Sequence, residues 1–164
     1  MERLASHEPM SLIKLKHDQI DVSLAHFRRA ARRRSECVVL FLGRRVGATI
    51  EVVDVVRPQQ EAGLDFFHIP PQAMRRLFNK LRKNRLMVAA QAHTHPARAF
   101  HSEADDHWAI IRHHGALSIV LPYFAKATTC DSFVSDIALF KYSEANQWEE
   151  VPPKQIPLHL EVIR

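Results

Sequence analysis

Cysteine is scarce here: Cys37 and Cys130 are the only two in 164 residues. Two such residues make neither a disulfide framework nor a CxxC site, and the expectation is one core thiol and one loop thiol. The sequence also lacks any run of about eighteen apolar residues, which excludes a membrane-spanning helix. Charges come too early and too often in residues 1–15 for the apolar centre of a signal peptide, so a cytosolic location is expected. No internal repeat, low-complexity block or Gly/Ser linker interrupts the chain. This predicts a single domain over residues 1–164, with its core at about 20–151 and a proline-punctuated tail at 152–164. With 46% hydrophobic and 25% charged residues the composition is globular. The length suffices to bury a core without disulfide or metal staples.

The net charge is +5. The basic residues concentrate in two clusters, Arg28, Arg29, Arg32, Arg33 and Arg34, then Arg75, Arg76, Lys80, Arg82, Lys83 and Arg85. Each lies beside apolar residues at helical spacing. They read as two solvated helix faces, or as a surface that recruits an acidic partner, protein or nucleic acid.

Residues 11–15 alternate like a short strand. Ile20, Leu24, Phe27 and Ala31 then recur on one face of a helix. Residues 37–42, CVVLFL, read as a strand buried on both faces and ending at Gly43. Residues 46–56 form its partner, with Gly47 near the turn, and residues 57–69 form a loop. Pro70 and Pro71 open a second helix whose stripe is Met74, Leu77, Phe78 and Leu81. A strand over 86–92 follows, then a third helix from Ser102 to about His114 with Gly115 just past its end. Strands over 116–122, a hairpin of 133–142 with 148–151, and an edge strand within 158–163 complete the chain. Strands and helices intermix, so the class is α/β or α+β with one mixed sheet.

The chemistry concentrates in residues 91–106, QAHTHPARAFHSEADD. His93 and His95 are two apart at a strand end, so both rings leave the same face. Pro96 stops the strand by removing a ladder donor. Asp105 falls in the first turn of the next helix, where it can swing back toward both imidazoles. Two His and one carboxylate leave a fourth position open on tetrahedral zinc, as in a catalytic site. Asp106 is the rival third ligand. A hydrolytic zinc also needs a carboxylate to take and return a proton, and Glu36, opening a buried strand, is the candidate. His101, His107, His113 and His114 are assigned to the loop and helix surface. The spacing fits neither a non-haem iron triad nor the H-x-H-x-D-H pattern of metallo-β-lactamase-like hydrolases.

Glu36 ahead of a strand, then His93-Thr94-His95-Pro96, then Ser102-Glu103-Ala104-Asp105, resembles the JAMM, or MPN-plus, zinc metallopeptidases. The resemblance covers residues 20–142 and is nearest to the compact stand-alone bacterial members. It implies a mixed sheet flanked by helices, the JAMM/MPN (cytidine deaminase-like) architecture. It implies one Zn2+ on His93, His95 and Asp105, Glu36 as general acid/base, and Ser102 steadying the oxyanion. The implied activity is cleavage after the C-terminus of a ubiquitin-like protein, in deconjugation or precursor maturation. The implied partners are that protein, its conjugates and the enzymes of its conjugation pathway, such as those encoded in bacterial antiviral defence operons; no membrane is implied. Two departures stand out. Ala90, Gln91 and Ala92 occupy positions where many members carry an aromatic residue. Residues 124–133 are short, with no second zinc cluster of the kind found in chain-selective eukaryotic enzymes. A catalytically silent scaffold of the same fold and a DNA-associated relative remain as alternative readings.

Overall fold

The structure, a computed structural model, describes residues 11–164, with the backbone alone for Ala104, His107 and Trp108. The expectation that residues 1–15 lack a signal-peptide centre, as far as it rests on residues 1–10, and the surface placement of the His107 ring therefore lie outside the described residues. The chain runs β1 (Leu12–Lys16), α1 (His17–Ala31), β2 (Val38–Val46), β3 (Thr49–Val56), β4 (Glu61–Ala62), β5 (Phe67–His68) and α2 (Pro71–Asn84). It continues with β6 (Met87–Thr94), α3 (Glu103–Trp108), β7 (Leu117–Leu121), α4 (Phe133–Asp136), β8 (Ala138–Tyr142), β9 (Trp148–Glu150) and β10 (Leu160–Ile163). Eight strands make one mixed sheet in the order β10-β1-β3-β2-β6-β7-β8-β9, and β4 pairs with β5 alone. β10, β1 and β3 are parallel neighbours, as are β6 and β7, and the other pairs are antiparallel.

The alternation of β2 divides the core. Cys37, Val39 and Phe41 pack with Ile20, Leu24 and Phe27 of α1. Val38, Leu40 and Leu42 point the other way and pack with Ala73 and Leu77 of α2. The run is apolar throughout because both sheet faces are covered. Gly43 sits at a register shift between β2 and β3, where an added Cβ would lie 2.6 Å from the Glu51 carbonyl oxygen. Only glycine fits that approach. The β2–β3 turn uses Gly47 at φ 61°.

Several expectations change: β2 runs past Gly43 to Val46, and the loop over 57–69 carries the β4–β5 hairpin. Phe78 is 55% exposed, and the stripe of α2 is carried by Ala73 and Leu77, with Met74 and Leu81 partly buried. The predicted third helix stops after six residues, because the Ile110 N–H donates to Gln91 Oε1 at 2.9 Å and Ile110 and Ile111 pack onto the α2-side core. Residues 133–136 are a helical turn rather than strand: Phe133 and Ile137 are buried at i, i+4, and Ser132 Oγ donates to Asp136 Oδ2 at 2.7 Å. The two cysteines sit as expected, Cys37 buried and Cys130 half-buried, both free.

Candidate metal centre

The site forms where β2 begins and β6 ends, since Val38 pairs with His93 in antiparallel register. Thr94 closes this end: its N–H donates to the Cys37 carbonyl and its Oγ1 accepts from the Cys37 N–H. His95 is fixed from both sides. Its N–H donates to the Leu121 carbonyl at 2.9 Å, and its own carbonyl accepts from the Phe124 N–H at 2.8 Å. Phe124 is the middle of three residues, Tyr123, Phe124 and Ala125, with φ of 51°, 55° and 54°. Left-handed backbone costs an L-residue about 1–2 kcal/mol. Tyr123 N–H to Ala97 O, together with the His95 bond, holds the turn in place.

With those backbone positions fixed, three ligand atoms converge. His95 Nε2 lies 3.0 Å and His93 Nε2 3.2 Å from Asp105 Oδ2. All three side chains are buried. Ser102 sets the carboxylate: its N–H donates to Asp105 Oδ2 at 2.7 Å, and its Oγ accepts from the Asp105 N–H at 3.1 Å. This reciprocal cap opens α3 and turns Asp105 toward the sheet. Asp106 points elsewhere. It is exposed, and its Oδ1 lies 2.8 Å from His101 Nδ1.

The cluster has the chemistry of a cation site. His93 Nε2 is close enough to Asp105 for a hydrogen bond but misaligned for one, and neither ring nitrogen of His93 is hydrogen-bonded. Buried polar atoms are ordinarily satisfied. Tetrahedral zinc with bonds of about 2.0–2.1 Å sets its ligand atoms about 3.3 Å apart, close to the two spacings found. Among the described residues, His93, His95 and Asp105 are the one group of three or more such side chains that could hold a metal ion.

Glu36 is buried beside them, and neither carboxyl oxygen has a partner. Its N–H donates to the Gly63 carbonyl at 2.7 Å. That bond ties Glu36 to the β4–β5 hairpin. Gln60 holds the next residues in the same way, its side-chain amide bonding both the N–H and the carbonyl of Val38. Burial, with the charges of Asp105 and Asp65, pushes the Glu36 carboxyl up to about 8. Burial acts in the same direction at Asp105. There the contacts from His93 and His95 and the Ser102 N–H outweigh it and hold the carboxyl well below the usual range.

His101 is a correction. Its side chain is buried, not on the surface, with its ring 6.0 Å from His93, 5.2 Å from Phe140 and 5.0 Å from Trp148. Burial and the neighbouring His93 lower it to about 4 in spite of Asp105 and Asp106. Its surroundings come from β8 and β9, about forty residues away, and no local spacing announces them. His113 and His114 are exposed as expected. Leu64, Phe66, Phe100 and Tyr123 are apolar yet roughly half exposed, and all sit on segments that hold the cluster. Phe100 packs edge-on against His95 at 4.4 Å. Among the described residues no helix is long and apolar enough to cross a membrane.

Comparison with known proteins agrees with this geometry. A probable metalloprotease, y4jG, of Sinorhizobium fredii (strain NBRC 101917 / NGR234) is 28% identical over 155 residues, which cover 91% of this chain and 93% of that protein. The solution structure of protein DSY2949 from Desulfitobacterium hafniense superposes with a TM-score of 0.68 at 20% identity, covering 93% of each chain, and so shares the fold. Residues 20–132, which carry Glu36, both histidines, Ser102 and Asp105, match the family described as prokaryotic homologs of the JAB domain, and to that family the chain belongs.

Proposed function

We propose that this chain is a zinc-dependent peptidase or isopeptidase that cuts after the C-terminus of a ubiquitin-like protein. The observation that carries the hydrolytic reading is the convergence of His93, His95 and Asp105 beside a buried, unpartnered Glu36. The family and the metalloprotease relative support a metallopeptidase. The ubiquitin-like substrate, within a bacterial conjugation or defence system, follows from the family resemblance.

His93, His95 and Asp105 would hold the ion, which when bound supplies Lewis acidity toward the scissile carbonyl and a nucleophile at neutral pH. Glu36 takes the proton released as the nucleophile forms and returns it to the leaving amine. Neither of its carboxyl oxygens is engaged by another group, which leaves them free for that exchange. Ser102 keeps its O–H available while Oγ accepts from the Asp105 N–H, and donates it to the developing oxyanion. Leu64, Phe66, Phe100 and Tyr123 give an extended tail an apolar bed, and strand addition is a common way to hold one.

The test uses linear fusions and lysine conjugates of bacterial ubiquitin-like proteins with zinc-loaded enzyme. Glu36→Gln is expected to keep its metal and lose at least about 100-fold in turnover. Cleavage by Glu36→Gln at the wild-type rate would contradict the assignment. Failure of every ubiquitin-like fusion alongside cleavage of an unrelated peptide would keep the peptidase and discard the substrate class.

A further inference from the structure

The two basic clusters differ once placed in the fold. The α2 cluster lies on the far face of the sheet, and part of it is engaged: Lys80 pairs with Asp54 at 2.6 Å, and Arg76 donates to Gln59 at 2.5 Å. The α1 cluster instead borders a hollow. Arg28, Arg32 and Arg34 from the end of α1, with Lys126 opposite and Ala31 between them, line a cleft of about 430 Å3. No carboxylate lines it, and among the described residues none of these four cations has an ion-pair partner.

Its walls are built. Arg28 Nη2 donates to the Thr128 carbonyl at 2.7 Å, and Lys126 Nζ stands 5.8 Å over the Phe124 ring. Like charges gathered round one concavity repel one another and raise its potential. The C-terminal dipole of α1 offsets part of this for Arg28 and Arg32. It does less for Arg34, which has left the helix at φ 51°, and nothing for Lys126, which belongs to another segment.

Both walls continue along the chain into segments that hold the metal centre. Arg34 is two residues ahead of Glu36, a span of at most about 7 Å. Lys126 directly follows the left-handed turn whose Phe124 N–H is bonded to the His95 carbonyl. The cleft opens on the α1 side of the sheet, whereas His93, paired with Val38, faces the α2 side, so a chain held in the cleft would reach the centre round the strand end.

We propose that this cleft binds an acidic segment of the polypeptide substrate, seating Asp or Glu carboxylates against Arg28, Arg32, Arg34 and Lys126 while the scissile bond reaches the metal centre. The placement rests on the peptidase reading. Guanidinium forks match carboxylates two oxygens at a time, which favours three arginines in such a role. Its size lies within the range of specific ligand pockets, about 300–1,000 Å3. A nucleic-acid duplex suits it less, because phosphate tracking needs a continuous basic stripe and the two clusters face opposite ways.

Fluorescence anisotropy with a labelled Glu-rich peptide, its Gln counterpart and a short DNA duplex tests this on the full chain, metal-free and zinc-loaded. The Glu peptide is expected to bind wild type, more weakly as salt rises, and the Gln peptide is not. Arg32→Glu with Lys126→Glu, and the milder Arg32→Gln with Lys126→Gln, should weaken binding about tenfold or more. Arg82→Glu with Lys83→Glu on α2 should leave it unchanged. Equal binding by the cleft variants, or a duplex preferred over the peptide with the same dependence on Arg32 and Lys126, overturns the proposal. Binding is read without turnover, so absent metal uptake or absent cleavage would undo the peptidase reading and leave this result to stand by itself. On a substrate that is cleaved, the cleft variants should raise KM several-fold with kcat unchanged. An unchanged KM would contradict the proposal.

Discussion

Burial raises the Glu36 carboxyl to about 8, while at Asp105 the same effect is outweighed by His93, His95 and the Ser102 N–H. Two neighbouring acids so divided suit different tasks, one ionised to hold a cation and the other able to carry a proton. Linkage gives the sign for stability. Below the ordinary value of 4.5 Glu36 is protonated folded or unfolded; as pH rises toward about 8 the unfolded chain ionises first, so stability is lost across that window. His101, lowered to about 4, works in the opposite sense, losing stability as pH falls from 6.5. Comparison with a variant separates the two. Metal-free Glu36→Gln should gain about 2 kcal/mol or more over wild type between pH near 5 and pH near 8.5, read by denaturant unfolding at each pH. A pH-independent difference would mean that Glu36 is not held protonated. Ser102→Ala should lose about 1 kcal/mol of stability through its cap and about 100-fold in turnover through the oxyanion, with zinc retained. A loss of stability without a loss of turnover would leave Ser102 a cap alone.

Elements with one strong local signal were legible. CVVLFL reads as a doubly covered strand because both of its faces are in fact covered, and the spacing of Ile20, Leu24, Phe27 and Ala31 gives the buried face of α1 directly. Where tertiary contacts decide, the sequence is quiet. The Gln91 side chain ends α3 early from an adjacent strand, and Ser132 bends residues 133–136 into a turn. Phe78 satisfies helical spacing but faces water. The site followed the same division. His93 and His95 share a face by strand parity, and Ser102 with Asp105 is a local cap. The neighbours of His101, and the Gly63 and Gln60 bonds that seat the start of β2, come from distant segments. Gly43 tests the element scale. Gly43→Ala drives a methyl against the Glu51 carbonyl, and the denaturant midpoint should fall by an amount equivalent to about 1–3 kcal/mol. A midpoint at the wild-type value would show that the β2–β3 bulge relaxes freely.

At the scale of the whole molecule, the sheet keeps its two helical faces distinct and brings both to one end. β2 starts there, β6 stops there, and the strained turn at 123–125 locks the second histidine from the side. The α2-side face supplies the apolar wall behind His93 through Phe67, 5.3 Å from the imidazole. The α1-side face carries three arginines and Lys126 round a cleft at the C-terminal end of α1. The three candidate metal ligands, Glu36 and the charged cleft are thus assembled from segments scattered between residues 28 and 126, and only the completed sheet joins them.

Metal content per chain, by elemental mass spectrometry after zinc loading and dialysis, tests the central claim most directly. The site described here predicts about one zinc per chain in wild type and in Glu36→Gln, and little in His93→Ala. Equal zinc in wild type and His93→Ala, or none in either, would contradict it.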